Sequence, residues 1–335
     1  MSRTSPQIAG ETIFVGTQLH ALVVALSRTT GQTLAVIQIN PHPYAVITQS
    51  PTFFDGKLFI GTSSFEHYYA PDASYPCCSL SANFVALEFS PSTSTSTSTS
   101  NPSPHSYPRH NPPKPRFRVL QNITTIPLSQ RQAGWAGASI WGSQPSFSSR
   151  RRLAFIGTGN TYSTSASTRA CQLANDLTAY ILNGPDPCLP QDVLQDSVLA
   201  IDIDTGKVGW THQSTGVDAY KGACGYPGLG PRNSALCPQV PGPDADFGMA
   251  PAYVPSSTST QHGHGDDDMV VLGRKNGVIH ALSAVTGQNG MVYFAVINTE
   301  FLSWQLKPSN ITVDRGAYGA LDVKNGRIIW PTAVP

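Results

Sequence analysis

The chain has 335 residues, of which 12% are charged, and its formal net charge is +1 at pH 7. This balance excludes the strongly basic surface that nucleic acid or an anionic membrane would attract. Gly (29) and Pro (28) are abundant, which favours many short strands joined by turns. No apolar run approaches the roughly 20 residues that a membrane-spanning helix needs.

The chain enters strand-like sequence almost at its first residue. Residues 1–6 lack the charged and then apolar pattern of a secretion signal, and the apolar strand Thr12-Ile-Phe-Val-Gly16 follows soon after. We therefore expect no signal peptide in this chain. A start so close to a strand also predicts a shortened or incomplete chain.

A repeat is the strongest structural signal of the sequence. Five apolar runs end in Ala-Leu or Ala-Ile and continue into a polar turn, at Ala25, Ala86, Ala200, Ala281 and Ala320. The turn's Thr-Gly or Asn-Gly supplies the positive φ that a tight hairpin requires. Repeats near 40 residues built of short strands indicate propeller blades, whereas the alternative is a set of unrelated hairpins. The prediction is an all-β propeller, as a single domain over residues 1–335, with about five blades represented.

Two copies of the repeat continue to a tryptophan, Trp210 and Trp330. A tryptophan four residues beyond the turn glycine can lie flat between adjacent blades and bury a large apolar area. We expect both rings to pack between blades.

Two polar insertions interrupt the blades. Residues 91–115 and 255–268 are rich in Ser, Thr, Pro and His, and we expect disordered surface loops. His262 and His264 stand next to three aspartates and could bind a metal. A solvated loop is the interpretation we favour, because nothing there would hold the ligands in a fixed geometry.

Six cysteines fall as three pairs that are close in sequence: Cys77/Cys78, Cys171/Cys188 and Cys224/Cys237. Disulfides would indicate an oxidising compartment, and buried thiols are the alternative. The sequons at Asn122 and Asn310 are compatible with a secreted chain.

Polar and aromatic residues follow several of the strand-like runs. Taken singly, each is an ordinary strand end: a surface glutamate, a core tryptophan, a turn asparagine, an exposed lysine. In chain order they are Thr48, Ser63, Glu66, Trp141, Asn160, Asp246 and Lys275, with Asp244 as an alternative to Asp246.

In this order the residues resemble the cofactor site of the pyrroloquinoline quinone (PQQ) dependent dehydrogenases, in particular their polyvinyl-alcohol-dehydrogenase-like branch. The resemblance implies a quinoprotein propeller, eight-bladed in the family, that oxidises an alcohol to a carbonyl. It implies Asp246 as the base, Trp141 stacked on PQQ, and Thr48, Ser63 and Lys275 at the polar edge of the cofactor.

The resemblance also implies Glu66, Asn160 and Asp246 as ligands of Ca²⁺, which takes oxygen donors. The lanthanide-using members have a second aspartate where this chain has Gly248, so Ca²⁺ is the expected ion. A vicinal disulfide of Cys77 and Cys78 that contacts PQQ is a further expectation. It is less direct, because the pair follows Glu66 instead of preceding it as in the methanol-dehydrogenase-type members.

The expected partners are a small or polymeric alcohol and an external electron acceptor, and the expected location of the full-length family form is extracellular. A second hypothesis is a propeller that has lost its cofactor and serves as an interaction scaffold. The complete set of metal-ligand types favours the enzyme, whereas five visible blades instead of eight favour the scaffold.

Overall fold

The computed structural model of the chain is built almost entirely of antiparallel β-sheet. It describes residues 2–91, 114–142, 144–175, 186–225, 230–255, 268–275, 279–282, 291–296, 303–306, 310–322 and 327–333. Most of the two predicted insertions, together with His262 and His264, lies outside the described residues.

Five sheets follow one another along the chain, and we call them blades 1 to 5. Blade 1 contains β1 (Gln7–Ala9), β2 (Thr12–Gly16), β3 (Leu22–Ser27) and β4 (Thr33–Gln38). Blade 2 contains β6 (Thr52–Phe54), β7 (Lys57–Gly61), β9 (Asn83–Ser90) and β10 (Arg116–Thr124). Blade 3 contains β12 (Ser146–Ser148), β13 (Leu153–Gly157), β15 (Ser197–Asp202) and β16 (Val208–Gln213).

The last two blades have three strands each among the described residues. Blade 4 contains β17 (Ala252–Val254), β18 (Met269–Gly273) and β19 (Ile279–Leu282). Blade 5 contains β20 (Met291–Val296), β23 (Ala317–Asp322) and β24 (Ile328–Ala333). In every blade the strands pair antiparallel with their sequence neighbours, as a propeller blade requires.

Shorter elements lie in the connections between blade strands. Two-stranded ribbons join β5 (Ala45–Val46) to β8 (Ser63–Ser64), β11 (Ala136–Gly137) to β14 (Thr161–Ser163), and β21 (Trp304–Leu306) to β22 (Ile311–Val313). The helices are α1 (Glu66–Tyr69), α2 (Leu128–Gln132), α3 (Ala166–Ala174) and a 3₁₀ turn at Gly222–Cys224. No helix among the described residues is long and apolar enough to cross a membrane.

The repeated alanine occupies the same place in all five blades, which confirms the propeller prediction. In blades 1 to 4 it lies in the third strand and pairs with an apolar residue of the second strand: Ala25 with Phe14, Ala86 with Phe59, Ala200 with Phe155, and Ala281 with Val271. In blade 5 Ala320 lies in β23 and pairs with Tyr293 of β20. In blades 1, 2, 3 and 5 the register to the next strand shifts beside this alanine. A bulge there increases the local twist of the outer strand. The predicted positive φ is present at Gly31 (72°) and Gly206 (73°).

The interfaces between blades form the core. One apolar cluster joins blades 1, 2 and 3 through residues such as Val23, Phe59 and Ile156. Another joins blades 3 and 4 around Phe155 and Phe247, and the ring of Trp210 packs against it. The expected position of Trp210 between blades is thus confirmed, whereas the side chain of Trp330 lies outside what the structure describes.

A glycine ends the second strand of each of the first four blades, and in blades 1 to 3 the segment that leads into the next blade approaches it closely. A Cβ on Gly16 would lie 2.5 Å from the side chain of Ile47, and one on Gly157 would lie 2.7 Å from Cβ of Phe247. A Cβ on Gly61 would collide with Ile140 in the same way. Absence of the side chain lets successive blades pack at this edge.

A backbone hydrogen bond crosses each of these interfaces. The amides of Ile47, Ile140 and Phe247 donate to the carbonyls of Thr17, Thr62 and Thr158 over 2.9, 2.9 and 3.3 Å. The loops that carry Thr48, Trp141 and Asp246 are therefore fixed to the preceding blade at the position next to each of these residues.

Candidate functional site

The candidate site lies where two sets of chain segments meet at one edge of the blades. In an antiparallel hairpin the start of the first strand and the end of the second strand lie at the same edge. Thr48, Trp141 and Asp246 precede the first strands of blades 2, 3 and 4, whereas Ser63, Asn160 and Lys275 follow the second strands. This topology explains how residues spread over 228 positions (48 to 275, counted inclusively) reach one place.

A cavity of about 500 Å³ opens at this edge. Six of the predicted site residues line it: Thr48, Ser63, Trp141, Asn160, Asp246 and Lys275. The alternative aspartate, Asp244, lines it as well. Glu66, Cys77 and Cys78 are not among the lining residues.

An ion pair beside an indole ring forms the wall of the cavity. Lys275 Nζ lies 2.5 Å from Asp246 Oδ2 and 2.8 Å from Asp244 Oδ1, and 5.2 Å from the ring centre of Trp141. A cation at this distance from an indole is attracted to the face of the ring. Lysine, carboxylates and ring thus hold one another in place.

Two glycines leave room for this arrangement. A Cβ on Gly159 would lie 2.9 Å from the carboxylate carbon of Asp246, and one on Gly248 would lie 2.7 Å from Cζ2 of Trp141. A larger residue at either position would displace the aspartate or the indole. The position where lanthanide-using members carry an aspartate is therefore packed against Trp141 in this chain.

The two carboxylates of the wall have opposite pKa shifts. Burial acts to raise the pKa of Asp246, but the charge and hydrogen bond of Lys275 outweigh it and lower the pKa below its usual value. Burial and the nearby Asp246 raise the pKa of Asp244 to about 8, although Lys275 opposes this shift. Asp246 is consequently the carboxylate that stays ionised and can accept a proton.

Contacts from two directions hold the loop that carries Asp246. The carboxylate of Asp218 accepts hydrogen bonds from the amides of Asp244 (3.1 Å) and Ala245 (2.8 Å). Arg274 Nε donates to the carbonyl of Ala245 over 2.9 Å, and the amide of Lys275 donates to the carbonyl of Asp246 over 3.0 Å. These contacts allow Asp244 to adopt a φ of 62° in the left-handed region.

Hydrogen bonds also fix the position of Asn160. Its side-chain Nδ2 donates to the carbonyls of Thr161 (2.8 Å) and Tyr220 (2.7 Å), and its amide donates to the carboxylate of Asp246. Because Nδ2 is engaged with the backbone, the amide group keeps a fixed orientation at the cavity wall. Thr48 also lines the cavity and donates to the carbonyl of Trp141 over 3.2 Å.

Glu66 is next to the cavity, but its carboxylate is engaged by its own loop. It accepts hydrogen bonds from Tyr75 Oη (2.6 Å) and from the amides of Ser79 (2.8 Å) and Leu80 (2.9 Å), and the side chain is fully buried. The disulfide between the adjacent residues Cys77 and Cys78 lies within this loop. Among the described residues no three or more His, Cys, Asp or Glu side chains come together to hold a metal ion.

His67 occupies the cavity wall beside Glu66, and sequence reasoning did not find it. Its ring stacks on that of Tyr220 with centroids 6.3 Å apart. Burial and the charge of Lys275 lower the pKa of His67 to about 4, so its imidazole is neutral. Ser139 and Tyr162 also line the cavity and bond to each other over 2.8 Å. No sequence motif distinguishes these three residues from ordinary core positions.

The sequence is similar to two curated dehydrogenases. It is 27% identical to the polyvinylalcohol dehydrogenase of Sphingopyxis sp. (strain 113P3) over 98% of this chain and 46% of the relative. It is 29% identical to the polyvinylalcohol dehydrogenase of a Pseudomonas species over 77% of this chain and 32% of the relative. The predicted resemblance to the polyvinyl alcohol dehydrogenases is confirmed. No protein-family model matches the chain.

Two solved quinoprotein dehydrogenases are similar to this chain in fold. The quinohemoprotein alcohol dehydrogenase ADHIIG from Pseudomonas putida HK5 superposes with a TM-score of 0.54 at 12% identity, over 98% of this chain and 52% of that one. The quinohemoprotein alcohol dehydrogenase from Comamonas testosteroni gives 0.53 at 13% identity, over 98% and 53%.

The chain spans about half the length, or less, of the polyvinyl alcohol dehydrogenases and of the solved structures that it matches. The likeness to the solved structures carries the fold alone.

Proposed function

We propose that the cavity binds PQQ and that the chain carries a site for oxidising an alcohol to a carbonyl. The observation that carries this proposal is the ionised Asp246, paired with Lys275 against the face of Trp141. A flat aromatic wall suits a planar tricyclic quinone, and a lysine suits its carboxylates or its quinone oxygens. The similarity to polyvinyl alcohol dehydrogenases supports the same assignment.

In this proposal Asp246 accepts the proton of the substrate hydroxyl. When bound, PQQ supplies the acceptor for the hydride that leaves the carbinol carbon, so that proton and hydride together account for the oxidation. Lys275 keeps Asp246 ionised before the proton arrives and stabilises negative charge that develops nearby. Trp141, Thr48 and Ser63 orient the ligand.

The three expected Ca²⁺ ligands are not brought together at the cavity. Asn160 and Asp246 offer oxygen atoms at the cavity, but the third expected ligand, Glu66, directs its carboxylate into its own loop. The residues as arranged do not form the expected three-ligand set, so no step is derived through Ca²⁺. An external electron acceptor and an alcohol, either small or polymeric, complete the proposed reaction.

The three disulfides, Cys77–Cys78, Cys171–Cys188 and Cys224–Cys237, support an oxidising compartment as the place of action. We propose an extracellular location on this basis.

A titration of the purified chain with PQQ, with and without Ca²⁺, tests the proposal. We expect saturable binding, followed by dye-linked oxidation of polyvinyl alcohol or of a small secondary alcohol. Asp246→Asn keeps the shape of the side chain and should retain PQQ while it lowers the rate at least about 100-fold. Absence of PQQ binding, or an Asp246→Asn variant as active as the parent, would contradict the proposal and leave the scaffold hypothesis standing.

A further inference from the structure

Glu66 and His67 are neighbours in the short helix α1, and their side chains have different surroundings. Successive residues of a helix point about 100° apart, so the side chains of two neighbours point in different directions. Here Glu66 is fully buried beneath its own loop, whereas His67 lines the cavity. Glu66 therefore makes its contacts within its own loop, whereas His67 makes its contacts in the cavity.

The contacts of Glu66 are those of an anchor for the 66–80 loop. One carboxylate oxygen accepts from Tyr75 Oη and the Ser79 amide, and the other accepts from the Leu80 amide. The backbone amide of Glu66 is bonded in turn to Ser64 Oγ over 2.9 Å. Charge-assisted bonds to two backbone amides are strong, and all of these partners would be left without Glu66 if its carboxylate turned into the cavity.

Two basic side chains lie near the carboxylate in this inward orientation. His42 Nε2 is 3.6 Å from Glu66 Oε1, and burial lowers the pKa of His42, so its imidazole is neutral near pH 7. The charge of Glu66 also acts on the buried Lys221. Rotation of the carboxylate toward the cavity would forfeit its hydrogen bonds to Tyr75 and to the two amides.

His67 faces the other way, toward the ligand space. Its ring stacks on that of Tyr220 and lies near that of Tyr162. The charges of Lys275 and Asp246 both act on its imidazole. An imidazole in a fixed plane can present one hydrogen-bonding nitrogen to a ligand carbonyl or hydroxyl.

We propose that Glu66 is a structural anchor of the 66–80 loop, and that His67 is a side chain by which this loop contacts the ligand in the cavity. The role of His67 rests on the proposed function, because it requires a ligand there. The role of Glu66 does not, because its partners all belong to this chain.

Two variants separate the roles. Glu66→Gln keeps the size of the side chain but removes at least one acceptor from the two amides. His67→Phe keeps the stacked ring and removes both nitrogens. Hydrogen exchange should become about tenfold faster or more at the Ser79 and Leu80 amides in Glu66→Gln and stay unchanged in His67→Phe.

Titration with PQQ plus Ca²⁺ should give the opposite pattern. We expect binding about 3- to 10-fold weaker for His67→Phe, which is the loss of one hydrogen bond, and within about twofold of the parent for Glu66→Gln. If Glu66→Gln does not fold, Tyr75→Phe removes one donor to the carboxylate without altering Glu66. This variant should speed exchange at Ser79 and leave PQQ binding unchanged.

Glu66→Gln binding that is more than about tenfold weaker, with amide exchange equal to that of the parent, would overturn the anchor and make Glu66 a cavity ligand. Unchanged binding in His67→Phe would overturn the role of His67. A parent chain that binds no PQQ would refute the proposed function and the role of His67 together. The exchange of the Ser79 and Leu80 amides would still decide the role of Glu66.

Discussion

At the scale of single residues, the cavity depends on one cation shared by two carboxylates. Lys275 contacts both Asp244 and Asp246, and these two contacts outweigh burial and raise the pKa of Lys275 above its usual value. Lys275 therefore remains charged throughout the physiological range. Its charge is what allows Asp246 to stay ionised in a buried position.

Removal of this cation should destabilise the fold as well as the site. We expect Lys275→Met to lower the free energy of unfolding by about 2–4 kcal/mol, because it leaves two buried carboxylates without a counter-charge. Asp246→Asn should cost less, since Lys275 keeps Asp244 as a partner. The double variant should be more stable than the sum of the two losses predicts, by about 1 kcal/mol or more, in urea unfolding.

The exposed Lys207→Met provides the control for this cycle and should change stability by less than about 0.5 kcal/mol. Strict additivity of Lys275→Met and Asp246→Asn would show that the ion pair has no energetic role.

At the scale of elements, the glycine at the end of the second blade strand determines how closely the next blade packs. Gly157 ends β13, and the loop with Asp246 and Phe247 lies directly against it. The same contact recurs at Gly16 with Ile47 and at Gly61 with Ile140. The position of the site loops is thus set by the packing of blades.

A methyl group at one of these glycines should therefore separate two blades. We expect Gly157→Ala to lower the free energy of unfolding by about 1–3 kcal/mol, because its Cβ would lie 2.7 Å from Cβ of Phe247. Gly209→Ala is the matched control in the same blade, where the nearest atom would be 3.6 Å away. Urea unfolding of both variants measures the difference, and equal stabilities would show that the approach of the blades is not limiting.

The Ala-Leu repeat could be predicted from sequence because it depends on local pattern: a period-2 run, a turn glycine and a fixed spacing. The cavity-lining positions of Trp141 and Asn160 followed from the resemblance. The orientation of Glu66 could not be predicted, because Tyr75 and two backbone amides determine it. The support of the Asp246 loop by Asp218 and Arg274 was equally hidden, since these contacts join positions far apart in the chain.

At the scale of the whole molecule, the two edges of the blades differ in how exposed their ion pairs are. The cavity edge relies on close backbone approach, on apolar packing and on the buried pair of Arg274 with Asp196 (3.4 Å). At the opposite edge, ion pairs join the turns of neighbouring blades: Arg152 bridges Asp55 and Asp204, and Arg151 with Arg150 binds the buried Asp268. The pairs of Arg152 with Asp55 and Asp204 are exposed to solvent. They therefore stabilise the fold only modestly, and salt weakens them.

Low pH should remove part of the stability that the exposed ion pairs of Arg152 provide. The hydrogen bond from Arg152, with support from Lys57, lowers the pKa of Asp204 to about 2 from a usual value of 3.8. A lowered pKa means that the stabilisation is complete above the unfolded-state value and is lost as the pH falls through the folded-state value. The melting temperature of the parent should therefore exceed that of Asp204→Asn at about pH 6, and the difference should shrink between about pH 4 and 2.

Thermal unfolding of both proteins across this range, repeated in about 0.5 M salt, measures the effect. Salt should reduce the difference at pH 6, because solvent ions screen an exposed pair. A difference that is equal at pH 2 and pH 6 would show that Asp204 acts through its shape and not through its charge. The turns at this edge would then be joined by packing.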